Sequence, residues 1–305
     1  MRLGHDAIGG RSRPVEWPHF NHSECLFMAR QIATVRNLLV NLVRRDLTVR
    51  YRSTVLGFFW SFAKPLALTG IFYIVFDKIV SIPLPESERI PAALHLLTAI
   101  LAWTMFAGAG SEAMGAILSN DNLIKKVRLP LPIFPTAVVC SHLIHFVLAL
   151  LVLAALLIWC GLPPTPWFAL LPGVMVLHFA LTLAVAFFLS SLNVFYRDIA
   201  SIWEVLTQAW FYACPIIYPV NLALEQFDQW QAPWLQWIYL ANPMTPIILA
   251  YRRLMLYGAI KDPNLEVGDP VLLISLGLCV LVTIGLLGLG WGVFRRLSRQ
   301  FADEL

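Results

Sequence analysis

Long apolar runs alternate with short polar segments along most of the chain. Each run is close to the roughly 20 residues that an α-helix needs to cross a bilayer. The runs lie near residues 58–79, 92–116, 133–159, 167–193, 199–218 and 270–293. We therefore expect an all-α polytopic membrane protein with six transmembrane helices, which brings the C-terminus back to the side of the N-terminus.

Residues 30–56, before the first run, have a different pattern. On a helical wheel of residues 35–52, most polar and charged side chains fall opposite the apolar ones, which indicates an amphipathic helix on the cytoplasmic membrane surface. The apolar face contains Val35, Leu38, Leu39, Leu42, Val43 and Val49. Asp46 and Arg50 are four residues apart and point towards this face, where an unpaired charge is costly. We expect them to pair with each other or with the body of the protein, and Arg45 to help hold the helix there.

Residues 234–258 are apolar at helical spacing, but Asn242-Pro243 and Thr245-Pro246 interrupt the pattern. Proline removes a backbone donor and disfavours helix at the preceding residue, so we expect two half-length helices that meet at a break. Broken backbone at membrane depth is tolerated where protein buries it or where it lines a wet cavity. The alternative is a pair of helices lying on the outer membrane surface.

The composition supports a membrane protein: 59% of residues are hydrophobic, 13% are charged, and the mean hydropathy is +0.72. Sixteen of the 22 Lys and Arg fall in segments that six crossings would place on one side. The positive-inside rule makes that side the cytoplasm, with both termini. The first 30 residues contain no apolar stretch typical of a cleaved signal peptide. Because the basic residues lie beside apolar runs, we expect membrane lipid and not nucleic acid as their partner.

Sequence patterns for metal and nucleotide chemistry are absent. The five cysteines are scattered, mostly inside apolar runs, with no CxxC pair or Cys/His cluster. No GxxxxGK[ST] motif occurs, and no lysine follows a glycine, so a loop that cradles phosphates cannot be built. We therefore expect no catalytic residue, no metal and no cofactor bound by this chain.

Six segments together resemble the transmembrane subunit of polysaccharide ABC exporters. This is the ABC-2 type permease family, which exports O-antigen, capsule and teichoic acid chains. The segments are RDLTVRYRSTVLGFFWSFAKPL (45–66), NDNLIKKVRLPLPIFPTA (120–137), NVFYRDI (193–199), CPIIYP (214–219), NPMTPIILAYRRLMLYG (242–258) and FRRLSRQFADEL (294–305). The resemblance covers residues 30–305, and residues 1–29 are interpreted as an N-terminal cytoplasmic extension. Lys64 stands where many relatives have asparagine.

The resemblance implies a bacterial inner-membrane exporter of lipid-linked polysaccharide. Two copies of the six-span subunit would surround a channel, and two separate ATPase subunits would bind ATP and Mg²⁺ underneath. Residues 57–305 would form the transmembrane domain, with a coupling helix near 120–130 and an external gate segment at 219–258. The implied ATPase-docking residues are Asn120, Asp121, Lys125, Lys126 and Arg128, and the implied gate residues are Trp234, Trp237, Tyr239, Asn242 and Pro243. A plain basic loop is the alternative for the docking segment.

The fifth apolar run carries an aromatic stripe at helical spacing. Sugar chains have C–H faces that stack on aromatic rings, so the stripe is a candidate lining for a translocation path. Its members are Trp203, Thr207, Trp210, Phe211 and Tyr218. Packing inside the protein is the alternative use of such a stripe. For Glu112 and Glu204, two acids in predicted spans, a structural role is favoured over a proton relay, although a proton-coupled carrier stays open.

Two other functions stay open at this point. An ABC-2 exporter could carry another cargo, such as a lipid or a drug. A membrane glycosyltransferase would need a cluster of acids or metal ligands near the interface. Asp262, Glu266 and Asp269 come closest, and their spacing beside Pro263 and Gly268 is typical of a solvated loop.

Overall fold

The computed structural model describes residues 22–51, 59–79, 92–126, 129–162, 164–256 and 268–301, and no strand occurs in these ranges. Arg128, the side chain of Arg50 and residues 1–21 of the predicted extension lie outside this description. The α-helices are α1 (His22–Tyr51), α2 (Phe59–Phe72), α3 (Ala92–Met114), α4 (Asp121–Lys126), α5 (Ile133–Trp159), α6 (Leu171–Phe195), α7 (Ile199–Tyr212), α8 (Val220–Gln229), α9 (Pro233–Ala241), α10 (Met244–Met255) and α11 (Asp269–Leu297). The all-α class is therefore confirmed.

The chain divides into two compact units, Met1–Leu38 and Leu39–Leu305. In the first unit, α1 begins at His22. The second unit contains the rest of α1 and every helix from α2 onwards. Within it, Leu42 and Val43 on the predicted apolar face of α1 are buried, whereas Val49 on the same face is 66% exposed.

Four helical segments in the described ranges are long and apolar enough to cross a bilayer. They are Ala93–Met114, Ile133–Trp159, Pro166–Phe195 and Asp269–Leu297. These segments coincide with the second, third, fourth and sixth predicted spans. The pattern of long apolar runs was strong enough to locate them because 20 or more residues without interruption have few other uses.

The first and fifth predicted spans differ from simple α-helices. Helix α2 contains Pro65 and continues as a π-helix over Tyr73–Ile79, so helical backbone covers residues 59–79. Helix α7 ends at Tyr212 and is about 21 Å long, shorter than the predicted run of residues 199–218. Residues 213–219 are not regular helix because Pro215 and Pro219 lack backbone donors and disfavour helix at the residue before each.

Helix α3 lies at the centre of the second unit, in contact with α2, α5, α6, α7 and α10. Two glycines let neighbouring helices approach its backbone closely. A Cβ on Gly108 would lie 2.9 Å from Cε1 of His142 on α5, and a Cβ on Gly110 would lie 2.7 Å from Cζ2 of Trp203 on α7. A larger residue at either position would displace the ring that now occupies the space.

Arg252, on α10, is fully buried. Its Nη2 donates to the carbonyl oxygen of Ile216 at 2.9 Å, and its Nε donates to the carbonyl oxygen of His95 at 3.4 Å. Ile216 belongs to the non-helical segment after α7, and His95 to the first turn of α3. One guanidinium therefore joins three parts of the fold and supplies a donor to backbone that has left a helix. The sequence pattern did not reveal this burial, because it depends on contacts with residues far away in the chain.

We expect Arg252→Met to lower the free energy of unfolding by about 1–3 kcal/mol, because the buried Ile216 carbonyl loses its donor. Arg253→Met is the matched control. Arg253 is the next residue and pairs at the surface with Asp269 at 2.7 Å, so its loss should cost less than about 1 kcal/mol. Thermal unfolding of the two purified variants in the same detergent measures the difference. Equal losses of stability would contradict a special role for the buried guanidinium.

Candidate functional site

The break between α9 and α10 falls at Asn242-Pro243. Helix α9 ends at Ala241, and α10 begins at Met244. The second predicted interruption, at Thr245-Pro246, was wrong, because Pro246 lies in the first turn of α10. A proline in that turn removes only a donor that has no intrahelical partner.

The side chain of Asn242 uses both ends of its amide at this break. Its Oδ1 accepts from Nε1 of Trp210 at 2.8 Å and from the backbone N–H of Met244 at 3.2 Å. Its Nδ2 donates to the carbonyl oxygen of Ala213 at 3.4 Å. Asn242 therefore caps the start of α10 and ties it to the end of α7. On the other side of the break, Sγ of Cys279 on α11 donates to the Pro243 carbonyl at 3.3 Å.

The predicted aromatic stripe of α7 lies against α3. Trp203 is buried, and its Nε1 donates to Oγ of Ser111 at 3.1 Å. The half-buried Trp210 packs edge-on against Phe106, with ring centroids 5.1 Å apart. Phe211 is half-buried too and packs 5.7 Å from Trp103. A helical wheel finds that these residues share a face, but it cannot tell which neighbouring helix covers that face. The role of the stripe in translocation stays a prediction.

Thr207, also in the stripe, is half-buried and donates to the carbonyl oxygen of Trp203 at 2.8 Å. This bond is internal to α7. The hydroxyl group is therefore occupied by its own helix.

Two tyrosines connect the end of α7 to α9. The hydroxyl of Tyr218 donates to the carbonyl oxygen of Tyr212 at 2.9 Å, and the hydroxyl of Tyr239 donates to that of Tyr218 at 3.4 Å. Tyr239 is buried in a small core with residues from α8, α10 and α11. The other predicted gate aromatics of α9 point outward, since Trp234 and Trp237 are 62% and 56% exposed.

The predicted docking residues that the structure describes lie on α4, a helix of six residues, or directly before it. Lys125 and Lys126 are exposed in its last turn, and Nζ of Lys125 lies 3.7 Å from Oδ2 of Asp121. Asn120 precedes the helix and is buried. Its Nδ2 donates to the carbonyl oxygen of Ala116 at 2.8 Å, so the side chain turns back towards α3.

The amide oxygen of Asn120 bonds to helix α1. Nη1 of Arg45 donates to Oδ1 of Asn120 at 2.9 Å. The same guanidinium donates to Oδ1 of Asp46 through Nη2 at 3.1 Å and through Nε at 3.3 Å. Asp46 therefore pairs with its neighbour Arg45, and Arg45 joins α1 to the residue before α4. A pairing of Asp46 with Arg50 lies outside the described side chains.

Beside this joint lies a cleft between α1, α3 and α5. Its lining includes Leu42, Arg45, Asn120 and Phe134. At the same end of the bundle Glu112 of α3 pairs with Nε2 of His142 on α5 at 2.8 Å. The pair gives Glu112 a partner on another helix.

The chain is similar to polysaccharide-export proteins, in two cases over more than nine-tenths of its length. The O-antigen export system permease protein RfbA of Klebsiella pneumoniae is 27% identical over 281 residues, which are 92% of this chain and 99% of that protein. A permease of the same name from Myxococcus xanthus is 26% identical over 91% of this chain and 99% of its own length. The capsule polysaccharide export inner-membrane protein CtrC of Neisseria meningitidis serogroup B is 23% identical over 58% of this chain and 66% of its own length.

A family profile extends this similarity to specific parts of the fold. The profile described as ABC-2 type transporter matches residues 37–256. The match includes the end of α1 with Arg45, helix α4, helix α7 and the break at Asn242-Pro243. Because it spans well over half of the chain, this protein belongs to the ABC-2 type transporter family of membrane proteins.

Proposed function

We propose that this chain is the channel-forming subunit of an ATP-driven exporter that moves lipid-linked polysaccharide, O-antigen or capsule, across the bacterial inner membrane. The observation that carries the proposal is the similarity to O-antigen export permeases over about nine-tenths of the chain. That similarity includes the Arg45–Asn120 contact before α4 and the break before α10 that Asn242 caps. An exporter needs both a contact for its energy source and a part that can open.

The proposed topology has six crossings with both termini in the cytoplasm. Helix α2 with its π-helical continuation makes the first crossing, and α7 with residues 213–219 makes the fifth. Helices α8 and α9 then lie at the outer side, and α10 re-enters the protein before α11 crosses back. The nearly complete burial of α10, including Arg252, supports the re-entry, because an outer surface helix would keep one face in water. In this arrangement the segment 219–258 forms the external gate.

The proposed energy source is a separate ATPase subunit that binds ATP and Mg²⁺, in two copies for a homodimer of this chain. The sequence itself offers no loop that could cradle phosphates. Helix α4 is the proposed docking element, and its exposed Lys125 and Lys126 give the contact a positive charge. The bond from Arg45 to Asn120 supports this role, because it would carry a displacement of α4 into α1.

Deletion of the gene in its natural host tests the proposal directly. We expect finished lipid-linked glycan to accumulate inside the cell and the surface to lose that glycan, because chain synthesis does not need the channel. Surface labelling and extraction of the lipid-linked pool measure the two quantities. Normal surface glycan in the absence of this protein and of any paralogue would refute the exporter role.

Charge reversal of α4 tests the docking role. We expect Lys125→Glu with Lys126→Glu to reduce co-purification of the ATPase subunit several-fold, because a basic contact would become acidic. The control is Arg295→Glu with Arg296→Glu, the same change of charge in the exposed last turn of α11. Undiminished binding by the α4 variant, or an equal loss in the control, would exclude α4 as the charged docking element.

Trp210→Phe tests the tie between α7 and the break. The substitution keeps an aromatic ring but removes the N–H that donates to Asn242, a bond worth about 0.5–1.5 kcal/mol. We expect slower appearance of surface glycan at an unchanged level of membrane-inserted protein. Trp159→Phe, at an 85% exposed position at the end of α5 and outside the proposed gate, is the control and should export normally. Wild-type export by Trp210→Phe would mean that the tie has no part in gating.

A further inference from the structure

Helix α7 has three distinct faces. Its aromatic face is covered by α3, as described above. A second face is exposed and polar, and its members are Ser201, Glu204, Gln208 and Tyr212. They are spaced by three, four and four residues, so their side chains form one stripe along the helix. The third face is exposed and carries only apolar side chains, which are those of Ile202, Val205, Leu206, Ala209 and Ala213.

The polar stripe is badly suited to contact with lipid. A carboxylate and an amide inside hydrocarbon would lose their hydration without compensation. Within the described part of the chain, Glu204 makes no ion pair and the side-chain amide of Gln208 makes no hydrogen bond. The side of α7 that α3 covers is already filled by rings. The stripe therefore needs water or a polar ligand along its length.

We propose that the stripe of Ser201, Glu204, Gln208 and Tyr212 lines the water-filled path and forms hydrogen bonds with the hydroxyl groups of the passing glycan. This inference rests on the proposed function and adds a binding surface to it. Sugar hydroxyls both donate and accept, and the stripe offers hydroxyl and amide groups that do the same. Several weak hydrogen bonds spaced along the helix would keep the glycan in contact with the stripe without binding it tightly at one position. The apolar third face is left for lipid or for a second copy.

Cysteine labelling tests whether the stripe meets water. The background is a variant in which Cys25, Cys140, Cys160, Cys214 and Cys279 are replaced by serine or alanine and which still exports. Glu204→Cys and Gln208→Cys are compared with Leu206→Cys, which lies at the same depth on the apolar face. In intact membranes with the ATPase present, we expect a small charged methanethiosulfonate reagent to label the stripe positions several-fold faster, because the thiolate forms in water.

Glycan supply provides the second arm. Labelling at residues 204 and 208 should slow when cells synthesise the glycan and recover when synthesis is blocked, while labelling at residue 206 stays constant. Equal rates at all three positions, or rates that ignore the glycan, would overturn the proposal. So would efficient disulfide cross-linking between two copies through Glu204→Cys or Gln208→Cys, since the stripe would then be an interface between copies.

Export measurements complete the test. Gln208→Leu should slow the appearance of surface glycan several-fold at normal protein levels, and Gln208→Ser should retain much of the rate because the serine hydroxyl group replaces the amide as a hydrogen-bonding group. Normal export by Gln208→Leu would count against the contact with glycan. The exporter role and the stripe can fail separately: loss of surface glycan on deletion of the gene supports the exporter role whatever the stripe variants do.

Discussion

A peptide carbonyl that leaves a helix inside a membrane protein must find a donor within the protein, because hydrocarbon offers none. In the described part of the chain the need arises at the carbonyls that follow α7. Arg252 donates to the carbonyl oxygen of Ile216, and Asn242 donates to that of Ala213 while its Oδ1 accepts from the backbone N–H of Met244. Since each of these side chains reaches more than one segment, the donors that satisfy the backbone also fix where the broken segments lie relative to α3, α7 and α10.

At each end of the second unit, one asparagine side chain forms hydrogen bonds with two separate segments. At the cytoplasmic end of the proposed topology, the side-chain amide of Asn120 accepts a hydrogen bond from Arg45 on α1 and donates one to the carbonyl oxygen of Ala116, in the turn after α3. At the break, the side-chain amide of Asn242 accepts a hydrogen bond from Trp210 and donates one to the carbonyl oxygen of Ala213, just after α7. In both places a single planar group links elements that are far apart in sequence. Such links suit a transporter, because they join moving parts without adding bulk between packed helices.

The sequence predicted the features that depend on length and on proline, and missed those that depend on depth and neighbours. Uninterrupted apolar runs located α3, α5, α6 and α11, and Asn242-Pro243 located the break. The stop of α7 at Tyr212 was missed although Pro215 signals it, because the run stays apolar through residue 218. Arg252 could not be placed, because its burial depends on carbonyls of residues 36 and 157 positions away. The aromatic stripe was identified as a face, but its cover by α3 is a tertiary fact.

The contact of Gly110 with Trp203 limits how the protein can move. The indole ring lies where a side chain on α3 would begin, so no flexible atom separates the backbone of α3 from α7. Such an interface is closely packed. A rotation of α7 alone would move the indole ring away from Gly110 and leave a void of about that size between the two helices. We therefore expect α3 and α7 to move together at this contact. If the protein opens and closes, the movement of helices has to occur at less closely packed places, such as the proline break beside Asn242 or an interface between two copies.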